Sequence, residues 1–304
     1  MIITTCLFSC PWLLAASALA SPHGRRDFRP SLIHRSGVKR YVDTFQGGAI
    51  IDILQLSHDK PAILSVEATW NIPFIRPNPG ADLRDVNNRH EMGQWVGITG
   101  GHCNDSADGA LLQTGTNTAL LENGKTEGFA WLEWLPAAAF ALPPENMTVH
   151  PGDEIRVTIR IDTTEEGFIE IQNINTGQKW SDALANPHPG AAGSAMCLGN
   201  GTAWFLNVWV LGVPGAKPDR DRTDLPVFSN ISFADVRAHD RLGHRFNLGG
   251  PNADYWNTTQ AGTETPVFVS EPVGAEEFVI YSPEGKNWVP LAEQDYNLPL
   301  FWEG

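Results

Sequence analysis

"EIRVTIRIDTTEEGFIEIQNI", residues 154–174, alternates apolar and polar side chains. Ile155, Val157, Ile159 and Ile161 fall on one side, with Glu154, Arg156, Thr158 and Arg160 on the other; Ile169 and Ile171 repeat the pattern. Successive side chains of a strand point to opposite faces, so a period of two reads as strands with one face on a core and one in water. Charges confined to one side place both segments as outer strands of an antiparallel sheet.

Further strand signals lie on both sides of this stretch. "AIIDIL" (49–54), "ILSVEATWNI" (63–72), "QWVGITG" (94–100) and "FAWLEWL" (129–135) are rich in Val, Ile, Trp, Phe and Thr. Turn clusters such as "RPNPGAD" (76–82), "ENGKTEG" (122–128) and "NTGQK" (175–179) punctuate them. No amphipathic helix stands out, since "PAAAFALPP" (136–144) is short and closed by prolines. Many short strands with frequent turns predict an all-β fold of two packed antiparallel sheets. "PGAKPDRDRTDLP" (214–226) reads as a long loop rather than a boundary, and no internal repeat is visible.

The 304 residues are 42% hydrophobic, enough for a substantial core. Residues 1–20, "MIITTCLFSCPWLLAASALA", are apolar and end in Ala-Leu-Ala, the pattern of a signal peptide, which sends the chain into the secretory pathway. Residues 21–40 carry six Lys/Arg against one acid and close on Lys39-Arg40, as a basic pro-segment with a dibasic stop would. The body, 41–282, is read as one sandwich, and 283–304 as a C-terminal extension. From residue 41 onward fifteen Lys/Arg face thirty-four Asp/Glu, a formal charge of −19. Such a body repels phosphate backbones, which argues against nucleic acid. No later segment reaches the length of a membrane span. The oligomeric state is not legible.

Beyond the signal only Cys103 and Cys197 remain, and in an oxidising compartment two cysteines most simply form one disulfide. Five sequons, at Asn104, Asn146, Asn200, Asn230 and Asn257, fit a glycosylated surface. His58, His90, His102, His150 and His188 show no metal or triad spacing, and neither a metal nor a cofactor is expected.

"WVGITGGHCNDSADGALLQTG" (95–115) resembles the fungal glutamic peptidases, the eqolisins, which carry W-V-G-I, a following cysteine and a strand ending L-Q-T-G. The resemblance continues through "AWLEWLP" (130–136), "PGDEIRVTI" (151–159), "NINTGQK" (173–179), the Cys197 region and "LPVFSNISFADV" (225–236). It implies a sandwich of two large antiparallel sheets and a disulfide matching Cys103–Cys197. In the family a Gln and a Glu act together on an attacking water, the carboxylate as acid and base, the amide as oxyanion partner. The Gln maps onto Gln113. The Glu belongs on the strand after the second cysteine, in a pattern like A-E-W-I-V-E. This chain reads "TAWFLN" (202–207), which puts Asn207, or one residue along Val208, where the acid should be. No Asp or Glu occurs between Asp182 and Asp219.

An amide cannot exchange protons as a carboxyl group does, and general acid–base help is typically worth about 10²–10⁴-fold. Neighbouring positions change in the same sense: Asn117, Phe129 and Leu135 stand where the family tends to have acids or Tyr, and Gln46 where a Trp is usual. Gln113 and Asn207 are therefore expected to face each other in a cleft lined by Trp95, Asn117, Phe129, Trp131, Leu135 and Gln46. Each has a plainer alternative: the two amides as structural ties, and Trp95, Trp131 and Trp134 as core. Alternation is taken to put Glu133 opposite its flanking tryptophans, in a structural role.

Three functions stay open. The leading one is a repurposed cleft that binds a small apolar polyketide- or terpenoid-type metabolite and transforms it, by cyclisation or cycloaddition, without general-base chemistry. The second is an acid endopeptidase that recruits Glu133, Asp105 or Asp108 to Gln113. The third is a non-catalytic binder of glycan or peptide.

Overall fold

The computed structural model describes residues 33–35, 38–43, 46–52, 63–77, 90–99, 111–121, 123–135, 137–163, 165–187, 201–210, 226–259, 266–283 and 285–286. Cys103, Cys197, Asn104, Asn200, Asp105, Asp108 and the expected signal peptide lie outside the described residues. In chain order the strands are β1 (Ile33–Arg35), β2 (Val38–Asp43), β3 (Gln46–Asp52), β4 (Ile63–Asn71), β5 (Ile75–Arg76) and β6 (His90–Thr99). Then come β7 (Leu111–Leu120), β8 (Thr126–Trp134), β9 (Phe140–Ala141), β10 (Glu154–Thr163), β11 (Glu166–Asn173), β12 (Lys179–Ala185) and β13 (Gly201–Val210). The last are β14 (Val227–Phe228), β15 (Ile231–Asp240), β16 (Arg245–Asn247), β17 (Ala253–Thr259), β18 (Pro266–Gly274) and β19 (Glu277–Tyr281).

The first sheet runs β9-β8-β7-β6-β13-β3-β17-β2-β1, antiparallel at every step except the parallel pair β17–β2. The second carries β12-β11-β10-β4-β15, with β19 and β16 also on β15. β18 belongs to both, pairing with β17 and β19, and β5 and β14 form a small pair of their own. The alternation at 154–174 is realised: β10 buries Ile155, Val157, Ile159 and Ile161 while Glu154, Arg156 and Arg160 stay exposed.

The main core lies between the sheets. From the first sheet it takes Val96, Ile98, Leu112, Ala130, Leu132, Trp134 and Trp204; from the second, Val66, Trp70, Val157, Ile169 and Phe233. Phe233 and Phe278 stack there with centroids 4.8 Å apart. Inside this core Trp70 Nε1 donates to Thr116 Oγ1 (3.0 Å), whose hydroxyl donates to Gln94 Oε1 (3.2 Å), while Gln94 Nε2 has no hydrogen-bond partner among the described residues.

Of the sequons, Asn146 and Asn230 are exposed, whereas Asn257 is half-buried and its Oδ1 accepts from the Ser270 N–H (2.9 Å).

Candidate functional site

The residues between those core positions occupy the other face of the first sheet. There Trp95, Trp131, Ala139, Ala203 and Phe205 form a second apolar cluster, with Ile50, Leu111, Phe129 and Trp256 against it. Register arranges this face in rows across the strands. One row reads Trp131, Gly115, Trp95, Phe205, Gly48, Trp256, from β8 to β17. Trp95 and Phe205 meet edge to face at 5.3 Å, and Phe205 and Trp256 lie 5.8 Å apart. The two glycines make room for the rings. A Cβ on Gly115 would lie 2.9 Å from Trp131 Cζ2 and 2.3 Å from the Gln94 carbonyl oxygen. One on Gly48, at φ +153°, would meet Phe205 Cδ1 at 2.6 Å.

The row beside it holds the polar chemistry: Glu133, Gln113, Gly97, Ala203, Ile50, Asp254. Gln113 Nε2 donates to Glu133 Oε2 at 2.5 Å, and both side chains are buried. Burial pushes the Glu133 carboxyl up to about 7, against the pull of the Gln113 hydrogen bond. Below that pH the group is a neutral acid. Its other oxygen, Oε1, has no hydrogen-bond partner among the described residues, and neither has the indole Nε1 of Trp95. A buried polar atom left unpaired costs about 1–3 kcal/mol, and Gln94 Nε2, Thr118 Oγ1 and Tyr255 Oη carry the same cost elsewhere among the described residues.

The third row is Phe129, Asn117, Gly93, Asn207, Gln46. Asn117 Nδ2 donates to Glu91 Oε1 (2.5 Å) and Asn117 Oδ1 accepts from Trp131 Nε1 (2.7 Å). The amide thus fixes the indole that lies over Gly115. Leu135 continues β8 past Glu133, its N–H on the Leu111 carbonyl (2.9 Å).

Two expectations change. Across β6 from Gln113 stands Ala203; Asn207 lies four residues further along β13, about 13 Å at 3.3 Å per residue, across Gly93 from Asn117. Ala203 and Asn207 stand four positions apart on β13, as the two acids of the A-E-W-I-V-E pattern do. Glu133, expected opposite its flanking tryptophans, shares a face with Trp131 and is opposite only Trp134, which enters the main core. Glu91 escaped the sequence reading altogether, because "HEMGQW" carries no signal that aims it at Asn117. No group of three or more His, Cys, Asp or Glu able to hold a metal occurs among the described residues.

A family model, the Peptidase A4 family, matches residues 47–280, which take in every residue of the three rows except Gln46. The chain belongs to the Peptidase A4 family. Aspergillopepsin-2 of Aspergillus niger is 37% identical over 84 residues, 28% of this chain and 27% of that one. Scytalidopepsin B of Scytalidium lignicola is 31% identical over 97 residues, 32% of this chain and 34% of that one. The chain thus spans about a third or less of the curated relatives it matches. Among solved structures, scytalido-glutamic peptidase with a transition state analog inhibitor superposes with a TM-score of 0.54 at 20% identity, covering 79% of this chain and 98% of that one. SCP-B, an eqolisin complexed with the tripeptide Ala-Ile-His, gives 0.52 at 20% identity over the same shares. At these identities the structures establish the fold, the eqolisin sandwich of the glutamic peptidases.

Proposed function

We propose that this Peptidase A4 family member binds a small apolar molecule of polyketide or terpenoid type on the aromatic row and promotes its cyclisation or cycloaddition. The observation that carries the reading is the Gln113–Glu133 pair facing Ala203 beside Trp95, Phe205 and Trp131. A peptidase of this family needs a carboxylate to take a proton from water at acid pH. Glu133, with its carboxyl up to about 7, is protonated there and has no base to offer. As a neutral acid it donates instead. With Gln113 bound to Oε2, a proton on Oε1 can meet a ligand carbonyl or quinone-type oxygen and stabilise charge that develops there. The Trp95 indole N–H is a second donor on the same face. The ring faces hold flat apolar carbon skeletons in place, so proximity supplies the rest of the rate. Secretion, glycosylation and a Cys103–Cys197 disulfide accompany this reading, with the action placed outside the cell in fungal secondary metabolism.

The contact between Gln113 and Glu133 also favours a second reading, a peptidase in which Glu133 replaces the lost acid. Its working range would lie near and above pH 7, where Glu133 ionises, and not between pH 2 and 5.

Two assays on the purified protein test the proposal. Titration with menadione, an apolar quinone, should quench tryptophan fluorescence saturably, and Gln113→Ala or Glu133→Gln should weaken binding about 5- to 100-fold, the worth of one buried hydrogen bond. Casein should stay intact from pH 2 to 8. Casein cleavage abolished by Glu133→Gln would replace the proposal with the second reading, and menadione binding indifferent to both substitutions would remove the pair from the site.

A further inference from the structure

The stretch that ends in Lys39-Arg40, read from the sequence as a removable basic segment, is built into the first sheet. β1 and β2 form a hairpin with Ile33 opposite Arg40, His34 opposite Lys39 and Arg35 opposite Val38. Along its other edge β2 runs parallel to β17, with Arg40, Tyr41, Val42 and Asp43 opposite Tyr255, Trp256, Asn257 and Thr258. Arg40 is therefore paired on both sides, and the Arg40–Tyr41 bond sits in the interior of a strand.

Endopeptidases take their substrates as extended backbone that adds to an edge of the enzyme, so they need free N–H and C=O groups on the residues around the cut. Here Val38, Lys39 and Arg40 are taken by β1 along one edge, and Arg40, Tyr41, Val42 and Asp43 by β17 along the other, so neither edge is free across the cut. The bond becomes a substrate only when the hairpin and its parallel seam open, and the cutting rate falls by the fraction of time spent open.

We propose that Lys39-Arg40 is a proteolytic processing site that folding closes. On the newly made chain a dibasic-specific serine endopeptidase hydrolyses the Arg40–Tyr41 bond: water gives its hydroxyl to the Arg40 carbonyl carbon and a proton to the Tyr41 nitrogen. Once β2 has docked on β17, the site is shut and the hairpin is retained. A chain cut in time keeps Tyr41, Val42 and Asp43 beside Trp256, Asn257 and Thr258, so its new N-terminus lies opposite Trp256, at the end of the aromatic row. The order of folding and cutting thereby decides which of two N-termini the protein carries.

The test compares cutting of the folded full chain by a dibasic-specific endopeptidase with cutting of a synthetic peptide of residues 33–46, followed by intact mass. The folded chain should be cut at Arg40–Tyr41 at least about 100-fold more slowly than the peptide. Val42→Pro, which places a proline in the parallel seam, should bring the rate to within about tenfold of the peptide. Hydrogen exchange on the unaltered chain gives a readout independent of that variant, with residues 38–43 expected to be protected at least about 100-fold. Cutting of the folded wild type within tenfold of the peptide, a Val42→Pro chain as resistant as wild type, or unprotected amides at 38–43 would each overturn the proposal.

Discussion

Gln113 and Glu133, directly opposite each other on β7 and β8, share a 2.5 Å hydrogen bond from amide to carboxyl on a face whose neighbours are aromatic. The register leaves neither a choice of partner on that row, because Gly97 follows on β6 and Ala203 on β13.

The buried acid makes stability depend on pH. A carboxyl raised from 4.5 to about 7 costs folding nothing below pH 4.5, where both states are protonated. The penalty grows as pH rises towards 7 and levels off above it, reaching roughly 3 kcal/mol at 1.36 kcal/mol per unit. Urea denaturation from pH 4 to 8 should show wild type losing about that much relative to Glu133→Gln. Parallel curves for the two proteins would contradict the placement of this acid.

Asn117 is the hinge of a second amide–carboxyl contact, between Glu91 and the Trp131 indole. Asn117→Asp keeps an acceptor for the indole but sets two carboxyls side by side, which share a site badly once either ionises. The variant should lose about 2–3 kcal/mol at pH 7 and regain part of it at pH 3.5, once the two carboxyls share a proton. Equal losses at both values, read by thermal denaturation, would show that the damage is not electrostatic.

At Gly115 the test is steric. Gly115→Ala drives a methyl group into the Gln94 carbonyl oxygen and the Trp95 and Trp131 side chains. Overpacking of this kind costs about 1–3 kcal/mol, and backbone contact puts it at the upper end. Tm should fall by several degrees and menadione binding should weaken with it; an unchanged Tm would mean that the indole does not lie over β7.

How much of this was legible follows the physics of strands. Period-two patterns exposed the sheets, since β10 shows one face to water and one to the core. Gln113 stood out through the L-Q-T-G context. Register was harder to read, because residues two or four apart on β13 point the same way. Nothing local to "TAWFLN" tells whether Ala203 or Asn207 is level with Gln113; only the pairing of β13 with β6 decides that. Glu133 was visible in "WLEW", yet its partner sits twenty residues away and its role depends on a cross-strand pair. The links Glu91–Asn117 and Arg40–Tyr255 join positions 26 and 215 residues apart, beyond any local pattern.

The most direct measurement is the infrared carbonyl stretch of Glu133, isolated as the difference between wild type and Glu133→Gln from pH 4 to 9. A neutral acid held by Gln113 should give a protonated-carboxyl band at pH 6 that titrates away near pH 7 and shifts in Gln113→Ala. A carboxylate already ionised at pH 6, or a band indifferent to Gln113→Ala, would contradict the account.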